Sequence, residues 1–215
     1  CGWLSQGLYG GLIAVIILAE ITLRVRPREP KPGPDQSPDH WWNYNLWLLL
    51  LIPFVMCMIL GALLPSTDFD VLEYHWQGPK QYYQGGRIEF LPHNVYTSFP
   101  FGTEMLTLSS MVLLGDWYWG AVAGKGVLMC FGPLTALGIY AAAARWFSTR
   151  AGIYAAAIFL STPWIYRIST IAYAEGGLTF FLFAALYATM IGVARARSVP
   201  LEPQHGRIFL LAGLL

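Results

Sequence analysis

The chain has 215 residues, of which 56% are hydrophobic and 12% charged, with a formal net charge of +1. A soluble domain carries about 25% charged residues, so this composition lacks the polar surface that a water-exposed fold needs. A near-neutral balance also excludes the basic stripe expected of a nucleic-acid-binding protein. Cys1, Cys57 and Cys130 supply no CxxC or Cys/His metal spacing and no disulfide framework.

A bilayer core is crossed by about 20 mainly apolar helical residues. Residues 3–23 form the first such run, with Glu20 near its end. The segment RVRPREPKPGPDQSPDH, residues 24–40, is rich in proline and charge and reads as a flexible loop. A second span is predicted over 46–64, fronted by an interfacial belt of Trp41, Trp42, Tyr44 and Trp47. A long polar loop follows over 65–116. Further spans are predicted over 117–144, 151–166 and 171–194, with a sixth starting near 208. The first residue, Cys1, and the last, Leu215 inside an apolar run, suggest the N-terminal part of a longer protein.

Orientation follows from Lys and Arg, which favour the cytoplasmic side. Arg24, Arg26, Arg28 and Lys31 lie in the first loop, Arg145 and Arg150 after the third span, and Arg195, Arg197 and Arg207 after the fifth. Those loops therefore share the cytoplasmic side. Loop 65–116 and the turn at 163–170 share the other. The expected fold is an all-α, polytopic transmembrane helix bundle, with two short interfacial helices in its first long outer loop. Residues 1–45 would form an extra N-terminal span with its cytoplasmic loop, and 46–215 the main transmembrane unit. The expected location is a bacterial inner membrane.

Loop 65–116 is too long for a plain connector. Thr67 and Asp70 match the [ST]-x-x-[DE] helix-start pattern. From there DVLEYHWQ reads as a short helix that stops before Gly78–Pro79, with Asp70, Glu73, Tyr74 and Gln77 on one polar face. Val71, Leu72 and Trp76 would then rest on the membrane surface. A second short helix is predicted over 100–114, closed by Gly115. Between the two, FLPHNVYTSFP has the composition of a groove lining.

A positioned carboxylate can take the proton that a hydroxyl or amide loses as it attacks a sugar's anomeric carbon. Asp68 and Asp70, at the outer end of the second span, are candidates for that role and equally for simple helix-start residues. Glu175, in IAYAEGGLTFF, opens the fifth span on the same side. It faces either a cavity or the interface, and Gly176 and Gly177 beside it allow close approach. Lys125, inside the third span, either snorkels outward or meets a phosphate. Lys80 and Arg87 are phosphate candidates that fit a solvated role equally. His75, His93, Glu73, Glu89 and Glu104 match no metal signature and fit hydrogen-bonded loop residues.

The sequence DVLEYHWQGPKQYYQGGRIEFLPHNVYTSFPFGTEML, followed by spans and then AYAEGGLTF, resembles the GT-C-type membrane glycosyltransferases. These include the protein O-mannosyltransferases and the aminoarabinose transferase that modifies lipid A. The resemblance covers residues 46–194. An extra span, 3–23, precedes it, and the acceptor-binding C-terminal half of such enzymes has no counterpart here. It implies an inverting sugar transfer from a polyprenyl-phosphate donor to a lipid, glycan or protein acceptor on the non-cytoplasmic face. Asp70 then matches the catalytic aspartate, with Asp68 as rival. Glu175 matches an acidic residue that orders the site or a metal, so Asp70 and Glu175 are candidate ligands of a divalent cation, Mg or Mn. Tyr74, His75, Lys80, Arg87, His93 and Lys125 are the candidate substrate-binding residues. The competing readings are a transporter or flippase for a lipid-linked or anionic substrate, with charges near the membrane midplane, and a non-catalytic scaffold.

Overall fold

The computed structural model describes residues 5–7, 10, 11, 13–15, 49–198 and 213, with the side chains of 195–198 excepted. Most of the predicted first span, the loop 24–40, the aromatic belt and the sixth span lie outside the described residues.

Among the described residues the fold is all-α, with eight α-helices and no strands. They are α1 (Ile52–Leu63), α2 (Gln77–Gly85), α3 (Glu104–Leu114), α4 (Trp117–Met129), α5 (Phe131–Trp146), α6 (Thr149–Ser161), α7 (Pro163–Thr170) and α8 (Glu175–Ser198). Short 3₁₀ turns at Leu49–Leu51 and Val95–Ser98 and a π turn at Val71–His75 complete the order. Two helical stretches, Trp117–Trp146 and Glu175–Ala194, are long and apolar enough to cross a membrane. Leu49–Leu63 and Glu104–Leu114 are apolar but shorter.

Local chemistry sets most boundaries. Gly115, at φ 67°, closes α3 as predicted, its N–H bonding the Met111 carbonyl. Asp116 then caps α4, its Oδ1 accepting from the Trp119 N–H at 2.7 Å. That two-residue link folds α3 back along α4. Ser148 caps α6 in the same way, accepting from the Ala151 N–H at 3.1 Å. Pro163 explains why the predicted span 151–166 is two helices. A residue before proline is pushed out of the α region, and Thr162 is extended at ψ 119°. So α6 stops at Ser161, and proline starts α7, where its missing N–H costs nothing. The third predicted span is one helical stretch, Trp117–Trp146, with a local turn at Cys130, which keeps helical dihedrals, beside Pro133, which cannot donate to a carbonyl one turn back.

The loop departs from expectation at its first helix. Thr67 and Asp70 form no capping box, and Asp70 makes no capping hydrogen bond. The backbone winds as a π turn instead, with Trp76 N–H bonded to the Val71 carbonyl at 2.8 Å. This wider turn puts Val71 and Trp76, five apart, on one buried face. They pack with Met111, Ala121, Leu128 and Ala172 rather than resting on a membrane surface; Leu72 alone of the three is exposed. The next helix, α2, runs through Gly78–Pro79, because Pro79 falls in its first turn, where no intrahelical N–H is needed. It ends at Gly86, at φ 66°. The second loop helix starts at Glu104, four residues after the predicted start.

The outer surface of the bundle is apolar. On α8, Leu178, Leu182, Leu186 and Met190 recur every four residues and all are exposed, as are Leu60 and Leu63 on α1 and Ile158 on α6.

Candidate functional site

At one end of the bundle, the link after α1, the π turn and the starts of α3 and α8 converge with α7. Asp68 is engaged there by two partners. Its Oδ1 accepts from the Tyr173 hydroxyl at 2.5 Å, and Arg167 of α7 lies 3.5 Å from its Oδ2. The Tyr173 hydroxyl is pushed well above the usual tyrosine range, first by burial and then by the hydrogen bond to Asp68 and its charge.

His75, at the end of the π turn, is buried against Glu104, the first residue of α3: Nδ1 and Oε1 lie 2.7 Å apart. The second oxygen of Glu104 accepts from the Thr103 hydroxyl at 3.0 Å. Both residues retain under a tenth of their surface. Removing one member strands the other's buried polar atom, at a cost of about 1–3 kcal/mol. The imidazole also lies 4.2 Å, centroid to centroid, from the Tyr74 ring and 5.2 Å from that of Tyr173. Tyr74 stacks in turn on Tyr96 at 4.9 Å.

Asp70 and Glu175 are exposed, and neither carboxylate has a hydrogen bond or ion pair among the described residues. Both act electrostatically on Tyr74. Its hydroxyl is raised above the usual tyrosine value by burial first, then by Asp70, Glu175 and Glu104. The glycines after Glu175 bring its helix start close to the loop. A Cβ at Gly177 would fall 2.4 Å from the Thr103 methyl, and one at Gly176 would sit 3.4 Å from the Ile168 carbonyl oxygen of α7.

The other sequence candidates lie elsewhere or are already occupied. Lys125 is turned inward rather than out to the surface. It is buried, and its ammonium donates to the Leu64 carbonyl at the end of α1 at 2.5 Å. Lys80 sits over the Trp117 ring at 3.9 Å. Arg87 pairs with Glu89 at 2.6 Å on the surface, and exposed His93 bonds Gln81 at 3.0 Å. Among the described residues no three His, Cys, Asp or Glu side chains are grouped to hold a metal ion.

Sequence reasoning missed Arg167, Tyr173, Thr103 and Tyr96, whereas Glu104 is hydrogen-bonded, the reading the sequence favoured over a metal ligand. Tyr173 stands two residues before Glu175 and Arg167 in the predicted outer turn, so position alone could have nominated both. No family model, curated protein or solved structure matches the chain.

Proposed function

We propose that the chain is part of a multi-pass membrane glycosyltransferase of the GT-C type. It moves a sugar from a polyprenyl-phosphate donor to a lipid, glycan or protein acceptor at the non-cytoplasmic face. The observation that carries this reading is the division between the two aspartates. Asp68 is held by Tyr173 and Arg167, whereas Asp70, two residues on, is exposed and unpaired beside Tyr74. A general base needs a free lone pair within reach of the acceptor's proton, and Asp70 meets that condition. The anomeric carbon is attacked by the acceptor oxygen, whose proton passes to Asp70. The bond to the phosphate oxygen breaks, and its electron pair leaves with the lipid phosphate.

Arg167 is the cation beside Asp68, and its guanidinium, half exposed, is open to a phosphate. Mg²⁺ is commonly held by one or two carboxylates together with substrate phosphate, a donor set that Asp70, Glu175 and a lipid phosphate would complete. The apolar exteriors of α1, α6 and α8 support a lipid-embedded bundle, because exposed apolar surface of that extent mismatches water. Buried Lys125 favours a second reading, a transporter or flippase for an anionic lipid. Sugar transfer by the full-length protein in proteoliposomes, measured with a panel of polyprenyl-phosphate sugars, separates the two. Transfer from one donor supports the enzyme. Translocation of the lipid with no transfer from any donor overturns it.

A further inference from the structure

His75 has one nitrogen fixed and one open. Nδ1 is tied to Glu104, but Nε2 has no hydrogen-bond partner among the described residues. Nor is Nε2 sealed from solvent, as the unpartnered Trp76 Nε1, Asn94 Oδ1 and Ser169 Oγ are. The ring is thus buried and oriented, and its one free polar atom remains reachable. A carboxylate on Nδ1 orients the imidazole; with Nδ1–H donated to it, Nε2 accepts in the neutral ring and donates only in the imidazolium.

An anion entering between Asp70 and Glu175 meets carboxylates and therefore needs donors. The described cations are mostly spoken for: Lys125 by the Leu64 carbonyl, Lys80 by Trp117, Arg87 by Glu89, and Arg167 in part by Asp68. Nε2 of His75, beside Tyr173 and Tyr74, is engaged by nothing.

We propose that His75, oriented by Glu104 and in its imidazolium form, is the hydrogen-bond donor that holds the phosphate of a lipid phosphate monoester at this site. The proposal rests on the reading of the site as one for a polyprenyl-phosphate donor, and it concerns the leaving group, not the base. No proton need transfer: the departing phosphate oxygen gains negative charge, and the Nε2–H bond to it strengthens. Glu104 is a positioning residue, since it reaches the ligand only through His75.

The test uses the full-length protein in phosphatidylcholine nanodiscs with three probes: farnesyl phosphate, farnesol and inorganic phosphate. Wild type should bind farnesyl phosphate well above farnesol. His75→Gln should lose about tenfold or more of that difference, the worth of a charged hydrogen bond, with farnesol binding unchanged. Glu104→Gln, which keeps an acceptor for Nδ1 but not the charge, should lose less. A measurement on wild type guards against misfolded variants. Saturating farnesyl phosphate should protect His75 from acylation by diethyl pyrocarbonate, read by mass spectrometry, while exposed His93 stays reactive. Unchanged acylation of His75, or undiminished phosphate preference in a folded His75→Gln, overturns the proposal. Displacement by inorganic phosphate at equal concentration overturns the lipid assignment. Phosphate binding through His75 without any sugar transfer overturns the transferase reading and the leaving-group role with it, and leaves His75 as a residue that binds a lipid phosphate.

Discussion

The contact between α3 and α4 is the most demanding in the fold, and a single methyl group tests it. Gly120 and Gly124 are four apart on α4 and face Met111 and Thr107, four apart on α3. A Cβ at Gly124 would fall 2.6 Å from the Thr107 Cα, and one at Gly120 would fall 2.2 Å from the Met111 Cα. Ordinary contact begins at 3.4 Å, so Gly124→Ala must part the helices by about 0.8 Å and Gly120→Ala by about 1.2 Å. Both clashes are with backbone, which no rotamer change relieves. Overpacking of this kind costs about 1–3 kcal/mol. Gly126, two residues along the same helix, has open space around a built Cβ, and there alanine should gain up to about 1 kcal/mol of helix propensity. Equilibrium unfolding in mixed micelles, followed by far-UV circular dichroism, should place Gly124→Ala below wild type and Gly126→Ala level with it or above. Because α3 carries Glu104, the first variant should also disturb His75. Equal stability of the two alanine variants would refute the close packing, and with it the position of Glu104.

Tyr173→Phe removes the hydroxyl that bonds Asp68, worth about 1.5–3 kcal/mol for a charged acceptor. Because the Tyr173 hydroxyl is raised above its usual value of 10.0, that stability is fully present below pH 10 and lost as pH rises through the raised value. Wild type should therefore lose its advantage over Tyr173→Phe only in strong alkali; a loss near neutral pH would contradict the assignment. Glu175→Gln should lower transfer strongly, and titration with Mg²⁺ or Mn²⁺ should alter the defect if the pair with Asp70 holds a cation; wild-type turnover in Glu175→Gln would return Glu175 to a helix-start role. For orientation, cysteine introduced at Ser98 should be labelled from the non-cytoplasmic side, and cysteine at Ser148, in the α5–α6 link, only after permeabilisation. The reverse pattern would invert the topology.

Local signals carried the parts of the fold that local chemistry decides. Gly115 announced the end of α3, and the apolar runs announced α4, α5 and α8; of the two loop helices, the second is present, whereas the first is a π turn followed by a helix that starts at Gln77. Proline was the ambiguous mark. Pro79 was read as a stop but sits in the first turn of α2, and Pro163 was read inside a span but starts a helix. Helical spacing failed at Val71–His75 because a π turn changes the period, so Val71 and Trp76 went to the core. The pairs that build the site were invisible for a different reason. Tyr173 lies 105 residues from Asp68, and Glu104 lies 29 from His75. No spacing rule relates residues that meet only through packing. The sequence nominated Asp68, Asp70 and Glu175 as carboxylates of one face, but it could not divide the engaged aspartate from the free one.

That division is the claim on which the catalytic proposal stands, and one comparison tests it directly. Single-turnover transfer should be measured for wild type, Asp68→Asn and Asp70→Asn in the same proteoliposomes, at saturating donor. Asp70→Asn should lose about 10² to 10⁴ in rate, the contribution of a general base, while still inserting and binding donor. Asp68→Asn should lose stability with the Tyr173 and Arg167 contacts and keep most of its turnover per folded molecule. Near-normal turnover in Asp70→Asn with loss in Asp68→Asn would move the base two residues back, and activity in both would remove it from this loop altogether.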